Sequence, residues 1–505
     1  MFFSIIVCTD NNYGIGKNNN IPWKYSKDIE YFKNLTIRDN KEKLNVVIMG
    51  NNTYNSIPSS FKPLKDRINI ILSKSVESTD IELLEDTHPA EYIKFNPIYF
   101  NNVNNLLVYI DKIKKHVNEC FVIGGSQIYD LFLDLKIISY IYLTKINDAA
   151  SPPSIQTNNT HPAKQLNYNC DTFFNFEKYK KQFHLKNTDY MIDTDKISHQ
   201  TNTLTVNTYS YINKEENKFI KTVNKILDKG VYNLDRSKVG TLSIFGKSFT
   251  YDIRNYRIPL FTHRKIFLRG IIEELLFFVS GKTDTKILEE KKVNIWKGHT
   301  SREFLDSRGL MHYKEGSYGP SYGFQLRHFD AEFVNDDTNY NGKGFDQLED
   351  VINQIKNNPT SRRILFSYWN PSALNKVPLP SCHILYQFHV NTETNELSCS
   401  FYQRSNDYIL ANCFNICSAS ILVFMLCKIC NLRPGRVVHN IGSIHIYMSQ
   451  LEVAKEMIQN EPFNFPLLFI EDSKDEIKKI EDFKYEHFKL LFYNSHKKYH
   501  IPMAI

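Results

Sequence analysis

Along the first part of the chain, short apolar and β-branched runs alternate with polar stretches, at residues 3–8, 45–49, 68–72, 120–123, 138–143 and 203–211. Helical periodicity fills some of the gaps, over 27–35, 104–115 and 126–135. Strands interleaved with helices predict an α/β unit on a largely parallel sheet, its late strands pairing antiparallel across polar loops. Residues 148–169, with Ser-Pro-Pro-Ser and Asn-Asn-Thr-His-Pro, show no period and read as a surface insertion.

From about Glu215 the pattern changes. An amphipathic helix is predicted over 218–229, with Gly230 as its stop. A strand at 241–251, an apolar helix at 267–279 and a strand at 363–369 follow. Two more strands, 384–390 and 397–403, precede a long core helix at 415–431. No Pro/Gly/Ser-rich linker divides the halves and no repeat of 20–50 residues is present. The junction falls near 212–217, giving domains 1–213 and 214–505.

Length changes the picture little: 505 residues at about 150 per domain allow two to four domains. With 42% hydrophobic and 23% charged residues, disordered and collagen-like chains are excluded. Nine Cys cannot staple a chain this long, which favours a reducing compartment. The N-terminus reads as a strand rather than a signal peptide. The longest nearly apolar run, 416–427, is too short for a bilayer span and typical of a core helix. Lys and Arg number 62 against 55 Asp and Glu, a net +7 that suits anionic ligands without marking a nucleic-acid surface.

Candidate chemistry in the first half centres on a Gly-Ile-Gly loop, Gly14 to Gly16, leading to Ile21-Pro22-Trp23 and Asp28. Asp28 and Phe32 share a helix face and can hold a flat heterocycle; alternatively, Asp28 only complements a helix N-terminus. Strand-Gly-helix junctions at Met49-Gly50-Asn51-Asn52-Thr53 and Ile123-Gly124-Gly125-Ser126 can face a phosphate, or serve as plain tight turns. In the second half, Cys382 of Pro380-Ser381-Cys382-His383 enters a strand, where a nearby cation would make it a nucleophile; the bland alternative is a small buried hydrophobe. Arg236, Arg362, Arg363, Arg404 and Ser405 form a plausible phosphate cage, or a set of solvated surface groups. Cys427 and Cys430 lie inside the expected core helix and lack a second pair for metal.

Taken in order, the first-half motifs resemble dihydrofolate reductase over nearly all of residues 2–211. The match includes Pro63-Leu64-Lys65-Asp66-Arg67 and Ile141-Tyr142-Leu143-Thr144. The resemblance implies that Asp28 anchors the pterin and assists protonation at N5, that Thr144 orients Asp28, and that Arg67 pairs with the glutamate α-carboxylate. Ile6, Cys8, Phe32, Ser56, Ile57, Ile123 and Tyr129 would line the ring pocket. NADPH would lie along Gly16, Gly50, Asn52, Thr53, Gly124, Gly125 and Ser126, its 2′-phosphate near Ser73 and Lys74. Asn51 stands where the family usually carries a basic residue, which leaves Lys74 more of the NADP/NAD discrimination.

The second half, from about 217 to 505, resembles thymidylate synthase, in Gly240-Thr241-Leu242-Ser243-Ile244-Phe245-Gly246, Tyr402-Gln403-Arg404-Ser405, Phe414-Asn415-Ile416 and His445-Ile446-Tyr447. Fusion of the two is an arrangement of protists and some large DNA viruses. The resemblance implies an α/β first domain, with a mixed, mostly parallel sheet and flanking helices, and an α+β second domain. It implies that the Cys382 thiolate adds to C6 of dUMP. Arg236, Arg404 and Ser405 would hold the 5′-phosphate, joined by Arg362 and Arg363 from a second subunit, hence a homodimer through the synthase domain. Asn415 would read the uracil edge, His445 and Tyr447 the ribose, with His383 and Gln403 beside the nucleotide. Glu274 would organise proton transfer and Tyr322 aid proton removal from C5. Asp407, at the edge of the nucleotide site, would bond the pterin of 5,10-methylenetetrahydrofolate, with Trp296 and Ala504 on the folate side. The segment 503–505 would close over the folate.

The synthase half departs from its family at His263, Arg264, Lys297-Gly298-His299, Ser317, Leu326, Asn406, Ala411 and Cys413. These positions cluster on the folate side, so an active enzyme with altered folate affinity is expected. The alternative is a reductase fused to a non-catalytic module that dimerises or binds nucleotide or RNA. The implied chain is a cytoplasmic enzyme (in host cytoplasm, were it viral) needing NADPH, methylenetetrahydrofolate, dihydrofolate and dUMP, with no metal, membrane or nucleic acid.

Overall fold

The apolar runs of the first half become neighbours in one eight-stranded sheet, seen in a computed structural model that describes residues 1–37, 42–79, 96–147, 168–234, 238–472 and 474–503. The chain divides into two compact units, Met1–Asn213 and Lys214–Ile505. In the first, the strands are β1 (Phe2–Thr9), β2 (Gly14–Gly16), β3 (Leu44–Gly50), β4 (Arg67–Leu72), β5 (Ile98–Phe100), β6 (Val117–Gly124), β7 (Ile138–Asn147), β8 (Thr172–Phe173), β9 (Phe183–Thr194) and β10 (Thr201–Tyr211). The main sheet runs β5-β4-β3-β6-β1-β7-β10-β9. It is parallel from β5 to β7, and β10 and β9 close it antiparallel. Val46, Val47, Ile48 and Met49 are all sealed from solvent, as expected where helices cover both faces of a parallel sheet. Those helices include Ser26–Thr36, Val103–Lys112 and Ser126–Asp134.

β9 carries no apolar run: past Phe183 its side chains are exposed or half-buried, and only its pairing with β10 makes it a strand. Most of the expected insertion, 148–167, lies outside the described residues. Its last part is anchored, with Tyr168 Oη 2.8 Å from Tyr25 Oη and its ring against Trp23.

The second unit adds β11 (Val231–Asn233), β12 (Thr241–Asp252), β13 (Leu365–Ser367), β14 (His383–Asn391), β15 (Glu396–Asp407), β16 (Arg433–Tyr447), β17 (Leu467–Ile470) and β18 (Phe488–Leu491). Six of them form a mixed sheet in the order β11-β12-β16-β15-β14-β13, and β17 pairs with β18. β13 is shorter than the expected 363–369: its register with β14 runs from Leu365 to Ser367, and only single backbone bonds, Phe388 N to the Ile364 carbonyl and Tyr368 N to the Ile384 carbonyl, flank it. The core helix Asn412–Cys430 is longer than its 12-residue apolar run. Its length and composition would suit a membrane span, yet Ile416, Ile421, Val423, Phe424 and Leu426 are sealed inside the unit. The helix Leu268–Val279 packs on it.

The helix Lys214–Lys229 starts earlier than its apolar face does, because Glu215 and Glu216 tie its first turn to the body. Glu216 is fully buried and accepts from the Thr262 backbone N, the Thr262 hydroxyl, the His263 backbone N and His263 Nδ1 at 2.6–2.8 Å. Glu215 pairs with buried Arg257 at 2.5 Å. All nine cysteines are free thiols.

Candidate active sites

In the first unit, the parallel register of β1 and β7 sets Cys8 beside Thr144. Both side chains donate to the Asp28 carboxylate, which the first turn of the helix Ser26–Thr36 carries to them. The Trp23 indole N–H donates to the Cys8 sulfur. Burial lifts the Asp28 carboxyl from 3.8 to about 6, against the pull of the Thr144 and Cys8 hydrogen bonds. Such a group is ionised at neutral pH yet readily protonated, which is what a proton donor or an acceptor for a ring N–H needs.

Ile6, Phe32, Ile57 and Ile123 gather around the same apolar cluster, and the Tyr129 hydroxyl donates to the Ile6 carbonyl at 3.0 Å. Ser56 is exposed and its hydroxyl is turned back to the Thr53 carbonyl at 2.8 Å.

Arg67 is 5% exposed. Its Nη1 donates to Thr36 Oγ1 at 2.7 Å, its Nε to the Lys65 carbonyl at 3.0 Å, and its guanidinium lies 5.8 Å from the Phe32 ring centre. Burial lowers it to about 10, so it stays charged, and no carboxylate among the described residues pairs with it. A buried cation that has no ion pair among the described residues and only the neighbouring Asp66 charge acting on it can take an anion from outside.

Next to this pocket, Gly50 and Gly125 stand before the helices Asn51–Ser56 and Ser126–Asp134, neither of which has a side-chain cap. Gly124 has φ +125°, and a Cβ there would come 3.3 Å from Tyr129 Oη and 3.6 Å from Thr53 Oγ1; one on Gly125 would meet Thr53 Oγ1 at 3.4 Å. The bare backbone and the open N–H groups of the Ser126 helix fit a diphosphate. The Ser126 hydroxyl is already committed to the Phe173 carbonyl at 2.6 Å, which leaves its backbone N–H as the ligand. Gly16 lies on β2, Asn52 is exposed, and exposed Lys74 follows Ser73 at the end of β4.

In the second unit, Cys382 ends a loop at the start of β14. Arg404, from β15, clamps that loop: Nε donates to the Ser381 carbonyl and Nη2 to the Pro380 carbonyl, both at 2.8 Å. The same Nη2 lies 3.8 Å from Cys382 Sγ, and the guanidinium rests against the Trp369 ring. A fixed cation at this range favours the thiolate. The Tyr322 hydroxyl accepts from the Cys382 backbone N at 2.6 Å. Burial and the neighbouring Cys382 hold that phenol well above its ordinary value. Across the pocket, Glu274 accepts from Trp296 Nε1 at 2.8 Å and burial raises it to about 7, so both of its protonation states are available near neutrality.

The nucleotide candidates meet on three adjacent strands, with His383 opposite Gln403, Ser405 opposite Ser443 and Asp407 opposite His445. The Gln403 carbonyl oxygen gathers three donors, Asn406 Nδ2 at 2.9 Å, Asn415 Nδ2 at 3.2 Å and His439 Nε2 at 2.8 Å. Its Nε2 donates to the Ser405 carbonyl at 2.9 Å. Gln403 therefore orients Asn415. His383, lowered to about 4 by burial, is neutral and bonded to Asn415 and to the Tyr386 hydroxyl. The rings of His445 and Tyr447 stand perpendicular, 5.1 Å apart. Arg362 and Arg363 are exposed, and their guanidinium groups bond nothing among the described residues. Arg236 and Ala504 lie outside the described residues, as does the tail end at Ile505.

Five of the family departures find local partners or core positions. Arg264 is buried, with Nη2 donating to the Ile409 and Leu410 carbonyls, so it braces the segment after Asp407. His263 sits in the Glu216 cage, and Asn406 joins the Gln403 network. Cys413 Sγ accepts from the Phe261 backbone N at 3.2 Å, and Leu326 fills the core. Asp407 accepts from the Leu410 backbone N and from Gln450 Nε2, a partner that sequence reasoning missed. Trp369, under Arg404, was missed for the same reason: neither residue belongs to a motif.

An acid raised to about 6 on one unit and a cysteine beside a guanidinium with an acid raised to about 7 on the other define a fused pair of enzymes. A dihydrofolate reductase family model matches residues 2–208 and a thymidylate synthase family model residues 217–505. Bifunctional dihydrofolate reductase-thymidylate synthases of Zea mays and Leishmania amazonensis are each 36% identical over the whole chain, covering 97% and 95% of their own lengths. That of Paramecium tetraurelia is 37% identical over the whole chain and 99% of its length. The chain belongs to the bifunctional dihydrofolate reductase–thymidylate synthase family. It reduces dihydrofolate with NADPH, and it methylates dUMP to dTMP with 5,10-methylenetetrahydrofolate. The non-catalytic alternative for the second half is not favoured. No group of three or more His, Cys, Asp or Glu among the described residues can hold a metal.

Proposed function

We propose that residues 1–213 and 214–505 are the two catalytic domains and that the residues read from the sequence carry the two reactions. In the reductase, Asp28 accepts from the pterin ring and its amino group and helps to deliver the proton to N5. Thr144 and Cys8 fix the carboxylate, and Arg67 takes the glutamate α-carboxylate. The bound dinucleotide supplies the hydride. Gly124, Gly125 and Thr53 make room for its diphosphate, and Lys74 meets its 2′-phosphate.

In the synthase, the Cys382 sulfur forms a bond to C6 of dUMP and the electron pair of the C5=C6 bond moves into the ring. Asn415, held by Gln403, bonds the uracil edge where that charge collects. Arg404 holds both thiolate and phosphate, with Arg236 and Ser405. Glu274 passes protons through water and Tyr322 assists removal of the C5 proton. Dihydrofolate leaves this site as product and enters the reductase as substrate, so one chain closes the cycle. The observation that carries the synthase assignment is the Arg404 guanidinium against Cys382 Sγ. Incubation with 5-fluoro-dUMP and methylenetetrahydrofolate, followed by mass spectrometry, is expected to give a ternary adduct on Cys382. Binding of dUMP without adduct formation would overturn it.

The synthase acts as a homodimer in the cytoplasm, with Arg362 and Arg363 serving the phosphate of a second copy. Their exposure, and that of Phe245, Leu365 and Tyr402 on the six-stranded sheet, support this reading. Mixing inactive Cys382→Ser with impaired Arg363→Ala is expected to restore activity in heterodimers, each supplying one intact site. Failure to complement would return the arginines to their own subunit.

A further inference from the structure

Gln450 follows β16 and is fully buried. Its Nε2 donates to Asp407 Oδ2 at 2.9 Å and to the Pro502 carbonyl at 3.0 Å. Its carbonyl oxygen lies 3.4 Å from the Tyr447 backbone N. A primary amide has two N–H donors, and here each is spent on a different segment. One is the strand end that carries Asp407, and the other is the extended segment through Pro502, far away in sequence. The second Asp407 oxygen takes the Leu410 backbone N at 3.0 Å. Arg264 fixes the carbonyls of that same short loop. Asp407 is thus held by its own loop on one oxygen and by Gln450 on the other.

We propose that Gln450 is a positioning residue that couples seating of the segment around Pro502 to the orientation of Asp407. Folate capture by the synthase and docking of that segment then become one event. The proposal rests on the reading of Asp407 as the pterin acceptor. An apolar side chain at 450 takes the Gln450 donor from a half-buried carboxylate oxygen and from a half-buried carbonyl, and both segments relax toward water. When the segment is displaced, Gln450 loses the Pro502 carbonyl that helps to fix the direction of its amide, and with it the fixed aim of the bond to Asp407. The nucleotide contacts of Asn415 and Arg404 involve neither group.

The test uses the full-length enzyme with Gln450→Leu, a chain ended after Ile501, and the combination. Gln450→Met, unbranched and apolar, is a second variant for the same measurements. Gln450→Leu is expected to raise KM for methylenetetrahydrofolate roughly ten- to a hundredfold, as loss of a charged hydrogen bond does, with a much smaller change in dUMP affinity through the long Tyr447 contact. Carboxypeptidase is expected to remove the terminal residues faster from this variant than from the parent. Truncation alone is expected to give a similar loss, and the double variant to be no worse than the poorer single one. NADPH-dependent reduction of dihydrofolate is expected to be unaffected throughout. A parental folate KM in both Gln450 variants, or losses that multiply in the double variant, would overturn the coupling. Asp407→Asn separates the two claims: a parental folate KM there overturns the reading of Asp407 itself.

Discussion

Replacing Asp28 by Asn exchanges a strained charge for a neutral group of the same shape. In the folded reductase, burial moves this carboxyl from 3.8 to about 6. The folded state therefore binds the proton more tightly than the unfolded chain does. Stability contributed by this group is present below about pH 4 and is lost as pH rises toward 6 and beyond. The displacement from 3.8 to about 6 corresponds to about 3 kcal/mol at neutral pH. Asn keeps an oxygen to accept from Thr144 and Cys8 and carries no charge, so most of that cost disappears. The unliganded Asp28→Asn enzyme is expected to protect β1 and β7 amides from hydrogen exchange more strongly than the parent at pH 7.5, by about 2–3 kcal/mol. The advantage is expected to shrink steadily toward pH 4. Dihydrofolate reduction falls in the same variant by roughly a hundred- to ten-thousandfold, the usual worth of a proton-transfer group. A gap of the same size at pH 4.5 and pH 7.5, or no gain at pH 7.5, would refute the assignment of the cost to the buried charge.

Glu274→Gln is expected to lower synthase kcat roughly a hundredfold or more and to remove the limb near pH 7 from its pH profile, with reductase turnover intact. A surviving limb near 7 would place the titrating group elsewhere. Arg404→Gln is expected to slow alkylation of Cys382 by iodoacetamide about tenfold and to weaken dUMP binding, since one guanidinium is proposed to serve both the thiol and the phosphate; unchanged alkylation would show that the contact at Sγ is incidental. Arg67→Leu is expected to raise KM for dihydrofolate roughly a hundredfold while sparing a reduced pterin that lacks the glutamate, and equal losses for both would count against the carboxylate pairing. Cys382→Ser is expected to abolish dTMP formation with NADPH oxidation unaltered, and a joint loss would count against two independent sites.

The strands and helices that bury apolar runs were legible in the residue pattern, because burial on both faces of a parallel sheet leaves an unmistakable run such as Val46 to Met49. The two families were legible too: the segments around Asp28, Cys382 and Arg404 are local words that a single sequence carries. What the pattern concealed were elements defined by pairing alone. β9 is a polar edge without a hydrophobic period, and β16 opens with Arg433, Pro434 and Gly435 and buries His439, so the alternation of Val437, Ile441, Ile444 and Ile446 is interrupted. Interactions between distant residues were equally hidden. The register that brings Cys8 to Thr144, the cage that holds Arg67 against Thr36 and the amide that joins Asp407 to Pro502 are set by strand alignment and packing. Arg264 makes the same point, since the sequence marks it as a folate-side departure and the fold turns it onto the Ile409 and Leu410 carbonyls. The sequence by itself determined which two chemistries this chain carries, because those depend on residue types in short order. Only the tertiary structure decided the protonation and aim of each group, because desolvation and hydrogen-bond geometry exist only once distant segments have met.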